Sequence, residues 1–320
     1  MTHSIKSATA ETAVRGENRT VLVFGATGQQ GGAVASELLS RGWSVRALVR
    51  DPSAETAKRL GDLGTTVVAG DLADAASVRS AMRGAYGVFS VQPSSGQGAA
   101  YGVTDEQEVR YGKTVADLAL AEGVRHLVYT SIAVSGAGPT GMGHFDSKMD
   151  IENHVRGLDL CSTIVRPTTF MELLLLPGMG LDQGAYTFFL RPDQTGQIIA
   201  VRDIGRIVAA VFADAERFAG RTIEIAGDEV TGRTLGEALA RAAGRPIAYQ
   251  RFPDALLADN AFLGRIASLM DEGRLGANAD ISGLEREFGA LTRFPEWLAG
   301  PGQPLLRAAM ETERATIALR

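Results

Sequence analysis

The sequence predicts an α/β fold: a doubly wound parallel sheet joined to a smaller, mostly helical, discontinuous second lobe. Three observations predict it. The stretch from Thr20 to Gly32 reads strand, glycine turn, helix. Strands then alternate with helices over more than 130 residues, the pattern of a parallel sheet covered on both faces. From Thr168 the texture changes, with prolines and glycines breaking up apolar runs.

Val21, Leu22, Val23 and Phe24 are consecutive apolar residues, as in a strand buried on both faces. Glycines at 25, 28 and 31 follow, and a helix is expected from about Ala33. In that setting the glycines suit a dinucleotide. Gly25 permits the tight turn, Gly28 lets backbone approach a pyrophosphate, and Gly31 lets the helix lie close on the sheet. The helix amides and dipole then bind an anion without a charged side chain. Residues 44–49 form the second strand, ending at Arg50, Asp51 and Pro52. An acidic residue about 20 positions past the glycines would take the ribose of NAD(H). Here Arg50 stands there, with Arg46 four residues earlier and Lys58 and Arg59 following. A guanidinium grips a phosphate in bidentate fashion where a carboxylate repels it, which favours NADP(H). Asp51, next to a proline, is expected to start the following turn.

The third strand is 66–69, with Asp71 just beyond its carboxyl end, where ligands lie in open parallel sheets. Asp71 is expected to hydrogen-bond the adenine and to cap a helix at 73–83. Residues 86–92 make the fourth strand. It leads into the serine- and glycine-rich loop 93–98, mobile by composition and placed to flank the nicotinamide or open a substrate pocket. A helix at 105–122, a strand at 124–129, a helix at 144–156 and a strand at 159–165 follow. Further on, 197–201 reads as a strand, Asp203 as the cap of a helix running to 214, and 221–226 as a strand returning to the main sheet. Residues 233–320 are expected to be largely helical, with one strand near 247–251. The division expected is a disordered tail at 1–18, a nucleotide-binding domain at 19–167 plus 201–228, and a substrate or partner lobe at 168–200 plus 229–320.

The 320 residues are 45% hydrophobic and 22% charged, ordinary values for a globular chain. A net charge of −5 leaves no electrostatic footprint for nucleic acid or an anionic membrane. No apolar run reaches 18 residues, so no segment is expected to span a bilayer. Residues 1–18 lack the apolar core of a secretion signal, and a cytoplasmic location is the expectation. Cys161 is the one cysteine, so neither an internal disulfide nor a cysteine-pair metal site forms. It sits in a strand-like run and is expected to be a buried, inert thiol. The histidines at 3, 126, 144 and 154 show no ligand-type pairing, so no metal site is expected.

Several stretches resemble the NmrA-like group of atypical short-chain dehydrogenase relatives. They are Gly-Ala-Thr-Gly-Gln-Gln-Gly-Gly from Gly25, Val-Arg-Asp-Pro from Val49, Gly-Asp at 70–71, and Glu-Gln-Glu-Val with Gly-Lys at 106–113. His-Leu-Val-Tyr-Thr-Ser at 126–131, His-Phe-Asp-Ser-Lys at 144–148 and Arg-Pro-Thr-Thr-Phe-Met-Glu at 166–172 continue them. The resemblance is nearly continuous over the first 230 residues and faint beyond. It implies a Rossmann-type NADP(H)-binding domain with a small helical lobe over the nicotinamide end. With the residues read above, the candidate cofactor-binding set is Gly25, Thr27, Gly28, Gln29, Gln30, Gly31, Arg46, Arg50, Asp71, Leu72, Val91, Gln92, Pro93, Ser131, Lys148, Pro167 and Phe170.

Enzymes of the larger superfamily place a tyrosine four residues before a lysine and a serine at the end of the fifth strand. The phenol protonates the developing alkoxide, while the lysine lowers its pKa and holds the ribose. Lys148 and Ser131 are in place here, but His144 stands where the tyrosine would be. The candidate catalytic set is Lys148, Ser131 and His144, each with a bland alternative. His144 is either an imidazole proton donor or a helix-start residue at a loop edge. Lys148 holds the ribose, as the resemblance implies, or is a solvated partner of Glu152 at i+4. Ser131 is an active-site hydroxyl or a turn residue. Phe170 and Met171 wall the nicotinamide face or pack into the core.

Three functional readings follow. In the first, NADPH delivers hydride to a flat, apolar acceptor of quinone, flavin or enone type, which needs no strong acid and suits the missing tyrosine. In the second, the chain senses the NADPH/NADP ratio and reports it to a regulated protein through differential affinity. A third is an accessory role in tailoring aromatic natural products. The partners expected are a small apolar or aromatic substrate or a regulated protein, with no nucleic acid, no membrane, and a homodimer allowed.

Overall fold

The structure, a computed structural model, describes residues 19–97, 102–276 and 278–312. The expected tail at 1–18 and the Gly98 end of the loop lie outside them. From β1 (Thr20–Val23), the chain runs through α1 (Gln29–Ser40), β2 (Ser44–Val49), α2 (Glu55–Asp62), β3 (Thr66–Ala69), α3 (Ala75–Met82) and β4 (Gly87–Ser90). It continues through α4 (Asp105–Ala121), β5 (His126–Thr130), α5 (Gly143–Arg156) and β6 (Ser162–Pro167).

Beyond these come β7 (Thr169–Phe170), β8 (Ala185–Phe188), β9 (Thr195–Ile199), α6 (Val201–Ala213), α7 (Ala215–Phe218), β10 (Thr222–Ile225) and β11 (Asp228–Thr231). The last elements are α8 (Gly232–Ala243), β12 (Ala248–Arg251), α9 (Asp254–Asp259), α10 (Ala261–Asp271), α11 (Ile281–Phe288), α12 (Phe294–Ala299) and α13 (Gln303–Glu311).

Seven strands form one parallel sheet in the order β10-β6-β5-β4-β1-β2-β3. The order reverses between β1 and β4, which opens a crevice at their carboxyl ends. Its central strands are buried on both faces, so they carry apolar runs rather than alternation. One face packs Val21, Val23, Val34, Leu38, Ile204, Val208 and Phe212 together; the other packs Leu22, Phe24, Val115, Ala119, Leu127 and Ile151. Each of the larger of these side chains contributes ~1.5–3 kcal/mol by leaving water.

The expected doubly wound sheet is the one observed, with shifted element ends. α1 begins four residues before the expected Ala33, because Gly31 and Gly32 interrupt the apolar period that marks a helix. Asp74, not Asp71, caps α3, its carboxylate accepting from Ala76 N. Asp203 caps nothing: Ala200 is the N-cap of α6. Asp203 is buried and holds Arg206 at 2.9 Å and Thr292 N at 2.7 Å. Cys161 lies just ahead of β6 and is half-buried rather than buried; burial still pushes its thiol pKa up.

Ala279, Leu284 and Leu291, on and beside α11, pack with the main sheet and α6, whereas Met171, Leu174, Tyr186, Leu235, Phe252, Phe294 and Trp297 build a separate apolar cluster. Two small sheets support it, β11-β9-β7 and β12-β8. β7 and β8 were not legible, being two and four residues long. Among the described residues no helix is long and apolar enough to cross a membrane.

Candidate functional site at the carboxyl edge of the sheet

The corner between β1 and α1 is shaped by three glycines with different jobs. Gly25 adopts φ +63°, a left-handed conformation that strains any residue with a Cβ. A Cβ there would also stand 2.7 Å from Val91 Cγ1, so the turn closes against the end of β4. Gly28 N donates to Gly25 O at 2.8 Å, and Gly32 N donates to Gly28 O at 3.0 Å. A Cβ on Gly31 would fall 2.3 Å from Gly25 O and 2.7 Å from Ala26 N. Helix α1 therefore touches the turn that leads into it through bare backbone.

No side chain caps α1, so the first-turn amides, which have no intrahelical acceptor, face outward. Thr27, Gly28 and Gln29 are exposed. Gln30 is tied down, its Oε1 accepting from Thr130 Oγ1 at 2.8 Å, which anchors the helix start to the end of β5.

Arg50 lies exposed just past β2 and makes no hydrogen bond or ion pair with any described residue. Asp51 folds back on Ser53, accepting from its N at 2.8 Å and its Oγ at 2.6 Å; these bonds hold its carboxyl below the usual range. Arg46 must be withdrawn from the cofactor set. Its guanidinium donates to the carbonyls of Ala81 and Arg83, the C-terminal end of α3, where a cation offsets the helix dipole. That is the opposite edge of the sheet. Asp71 stays exposed beyond β3, accepting from Ala73 N at 2.8 Å, and Leu72 is half-buried beside it. Beyond β4, Gln92 is buried and donates to Ser90 Oγ at 2.9 Å; Val91 and Pro93 are half-buried.

The second half of the site joins α4, α5 and the loop after β4. Lys148 Nζ donates to Glu108 Oε1 at 2.6 Å, His144 O at 3.0 Å and Ser94 Oγ at 3.3 Å. The expected alternative partner, Glu152, is not the one it takes. Glu152 is wholly buried and gripped by Arg166 (Nε 2.8 Å, Nη2 2.7 Å) and by Arg156 at 2.6 Å. Burial works against its charge, but Arg166, the Ser131 hydroxyl and Arg156 outweigh it and keep the carboxyl below its ordinary value. Ser131 is buried, its N donating to Val165 O at 2.8 Å. Its hydroxyl closes no hydrogen bond of ordinary length with any described residue, yet faces Glu152 closely enough to help hold it ionised.

His144 stacks on Phe262 with ring centroids 5.4 Å apart and lies 4.0 Å from Phe145. Burial, then the Lys148 charge, pushes its pKa down to about 4. At neutral pH the ring is uncharged, so any proton it donates is that of the neutral imidazole. Its ring also fixes Gly96, where a Cβ would come within 2.6 Å of His144 Cδ2. Pro167 ends β6 and its carbonyl accepts from Ala133 N at 3.1 Å. Met171 is wholly buried core, while Phe170 is half-buried at the sheet edge. Among the described residues no three His, Cys, Asp or Glu side chains converge as metal ligands would.

Glu108 escaped sequence reading although a signal was there. On α4 it lies in line with Tyr111, Gly112, Val115 and Ala119, all buried, and a carboxylate on an apolar stripe signals a buried ion pair.

The NmrA-like family pattern matches residues 17–294. An NmrA-like oxidoreductase, FrzB, from a Cladobotryum species is 30% identical over 229 residues, covering 63% of this chain and 67% of its own. NmrA, a negative transcriptional regulator solved with NADP, superposes with TM-score 0.73 at 20% identity, covering 91% of this chain and 97% of its own. A Citrobacter triphenylmethane reductase solved with NADP(H) gives 0.72 at 20% identity, over 91% and 99%. With the match spanning most of its length, this chain belongs to the NmrA-like family.

Proposed function

We propose that the chain is an NADPH-dependent reductase that delivers hydride to a flat, apolar acceptor of quinone, flavin or enone type. One observation carries the reading: an uncapped glycine corner at the switch point, with a guanidinium beyond the next strand that has no partner among the described residues. The residues fit the dinucleotide. Backbone amides at α1 suit the pyrophosphate, and Arg50 suits a 2′-phosphate. The structural likeness to the Citrobacter reductase, a protein of triphenylmethane dye bioremediation solved with NADP(H), supports a flat acceptor.

When bound, the reduced nicotinamide supplies the hydride. Lys148, which the resemblance sets against the adjoining ribose, would hold that sugar. His144 stays neutral and, with Phe262, offers an apolar wall rather than an acid. The acceptor's second hydrogen is then a proton from solvent, which suffices where the reduced product is a weak base. Mixing the protein with NADPH and a panel of quinones, flavins and enones tests this. Loss of absorbance at ~340 nm above blank, abolished in Lys148→Met, supports it; no loss with any acceptor overturns it.

A redox sensor is the second reading, favoured by the missing tyrosine and by the structural likeness to a transcriptional regulator. A sensor must bind the oxidised and reduced cofactors with different affinity. Equal affinities by calorimetry exclude it.

A further inference from the structure

We propose that Glu108 is a positioning residue that aims Lys148 at the cofactor, an inference resting on the cofactor site proposed above. An ammonium has three protons, and all three are spoken for. They go to Glu108 Oε1, His144 O and Ser94 Oγ, at 2.6, 3.0 and 3.3 Å. These acceptors differ in kind. Glu108 is 1% exposed and ionically paired. His144 O belongs to the first turn of α5, four residues from Lys148. Ser94 is a loop hydroxyl at the longest distance, the easiest bond to give up. A ribose hydroxyl offers the same chemistry as Ser94 Oγ.

Glu108 therefore fixes two things: the direction of the lysine stem across the α4–α5 seam, and which proton is released to a ligand hydroxyl. Its second oxygen, Oε2, is buried and has no hydrogen-bond partner among the described residues. A carboxylate left half-satisfied in the interior is costly, so this arrangement is not explained by stability alone. Among the described residues Glu108 is the one carboxylate in ion-pair contact with Lys148.

The test is a double-mutant cycle on NADPH affinity, read by cofactor fluorescence with the full chain. Glu108→Gln keeps the shape and removes the charge. Alone it should weaken NADPH binding about tenfold or more, the scale of one hydrogen bond to a charged group. In a Lys148→Met background the same change should cost nothing further, because the group it positions is gone. Glu108→Asp should recover part of the loss. A merely structural role predicts the same penalty in both backgrounds, and a purely electrostatic one predicts tighter binding of the anionic cofactor when the carboxylate is neutralised. Either result overturns the proposal. Should Glu108→Gln fail to fold, Glu108→Leu with Lys148→Met replaces the buried pair by apolar groups, which folded proteins often tolerate. That pair should bind NADPH like Lys148→Met alone, and weaker binding than that overturns the proposal. Wild-type protein that binds no NADPH removes the cofactor reading itself, whereas wild-type binding that survives Glu108→Gln unchanged removes only this role.

Discussion

Substituting Gly31 by alanine probes the β1–α1 corner most sharply. The added Cβ would lie 2.3 Å from Gly25 O, 2.4 Å from Gly25 C and 2.7 Å from Ala26 N. All three are backbone, so no rotamer change relieves the contact. Restoring ordinary contact requires about 1 Å of movement between α1 and the turn before it, and overpacking of this kind costs ~1–3 kcal/mol or more. Alanine returns about 1 kcal/mol of helix propensity, so with the cost at the top of that range, as three unrelievable backbone contacts imply, the net loss is roughly 2 kcal/mol. With an unfolding entropy of ~2.1 cal/mol/K per residue, that lowers Tm by about 3 °C. The displaced amides should also weaken NADPH binding about tenfold or more, because such a site tolerates only ~0.5 Å of error. Gly28→Ala separates the two effects. Its Cβ meets only Gly25 O, at 3.3 Å, so it should melt within about 1 °C of wild type while losing NADPH affinity. Gly61→Ala, with nothing within 4 Å, serves as control and should be neutral or slightly stabilising. Calorimetric melting and cofactor-fluorescence titration read both quantities. A Gly31→Ala protein with wild-type Tm and affinity would refute the reasoning.

Arg50→Gln should weaken NADPH about 10–100-fold and leave NADH nearly unchanged, the loss of a charge-assisted phosphate contact; parallel titrations with both cofactors decide it. Arg46→Ala should do the reverse, sparing NADPH affinity while costing ~1–2 kcal/mol in urea unfolding, since the end of α3 loses its cation. His126 is wholly buried, its Nε2 donating to Thr163 Oγ1 at 2.8 Å, because the threonine proton already serves Phe218 O. Burial pulls its pKa from 6.5 down to about 4. The unfolded chain takes up this proton near 6.5 and the folded chain resists until about 4. Stability from neutral His126 is therefore complete above about pH 6.5 and lost as pH falls toward about 4, by about 3 kcal/mol in all. His126→Leu should flatten that part of the acid limb in Tm-versus-pH scans, and an unchanged limb would count against the assignment.

Local chemistry is what made the first half of the chain legible. Apolar runs, glycines at 25, 28 and 31, and strand–helix alternation are consequences of backbone sterics and two-sided burial, so the parallel sheet followed directly. Arg50 and Lys148 were visible because a strand end and a helix register place them. In the second lobe β9 and β12 were legible within a residue or two, but β7, β8 and β11 were not, because they lie in irregular stretches without strand–helix alternation and pair with partners far along the chain.

Which charged groups meet is a different kind of information. Arg46 and Arg50 share a strand and its edge, yet one caps α3 and the other has no partner among the described residues. Lys148 chose Glu108, 40 residues away, over Glu152, its helix neighbour, because Arg166 had already taken Glu152. His144 lost its charge to the rings of Phe145 and Phe262 packed around it. By itself the sequence determined the sheet, the glycine corner and an arginine in place of the acidic residue beyond β2, since these depend on neighbours in the chain. Only the tertiary structure decided the ion pairs and protonation states, because desolvation and Coulomb energy depend on distances that folding alone creates.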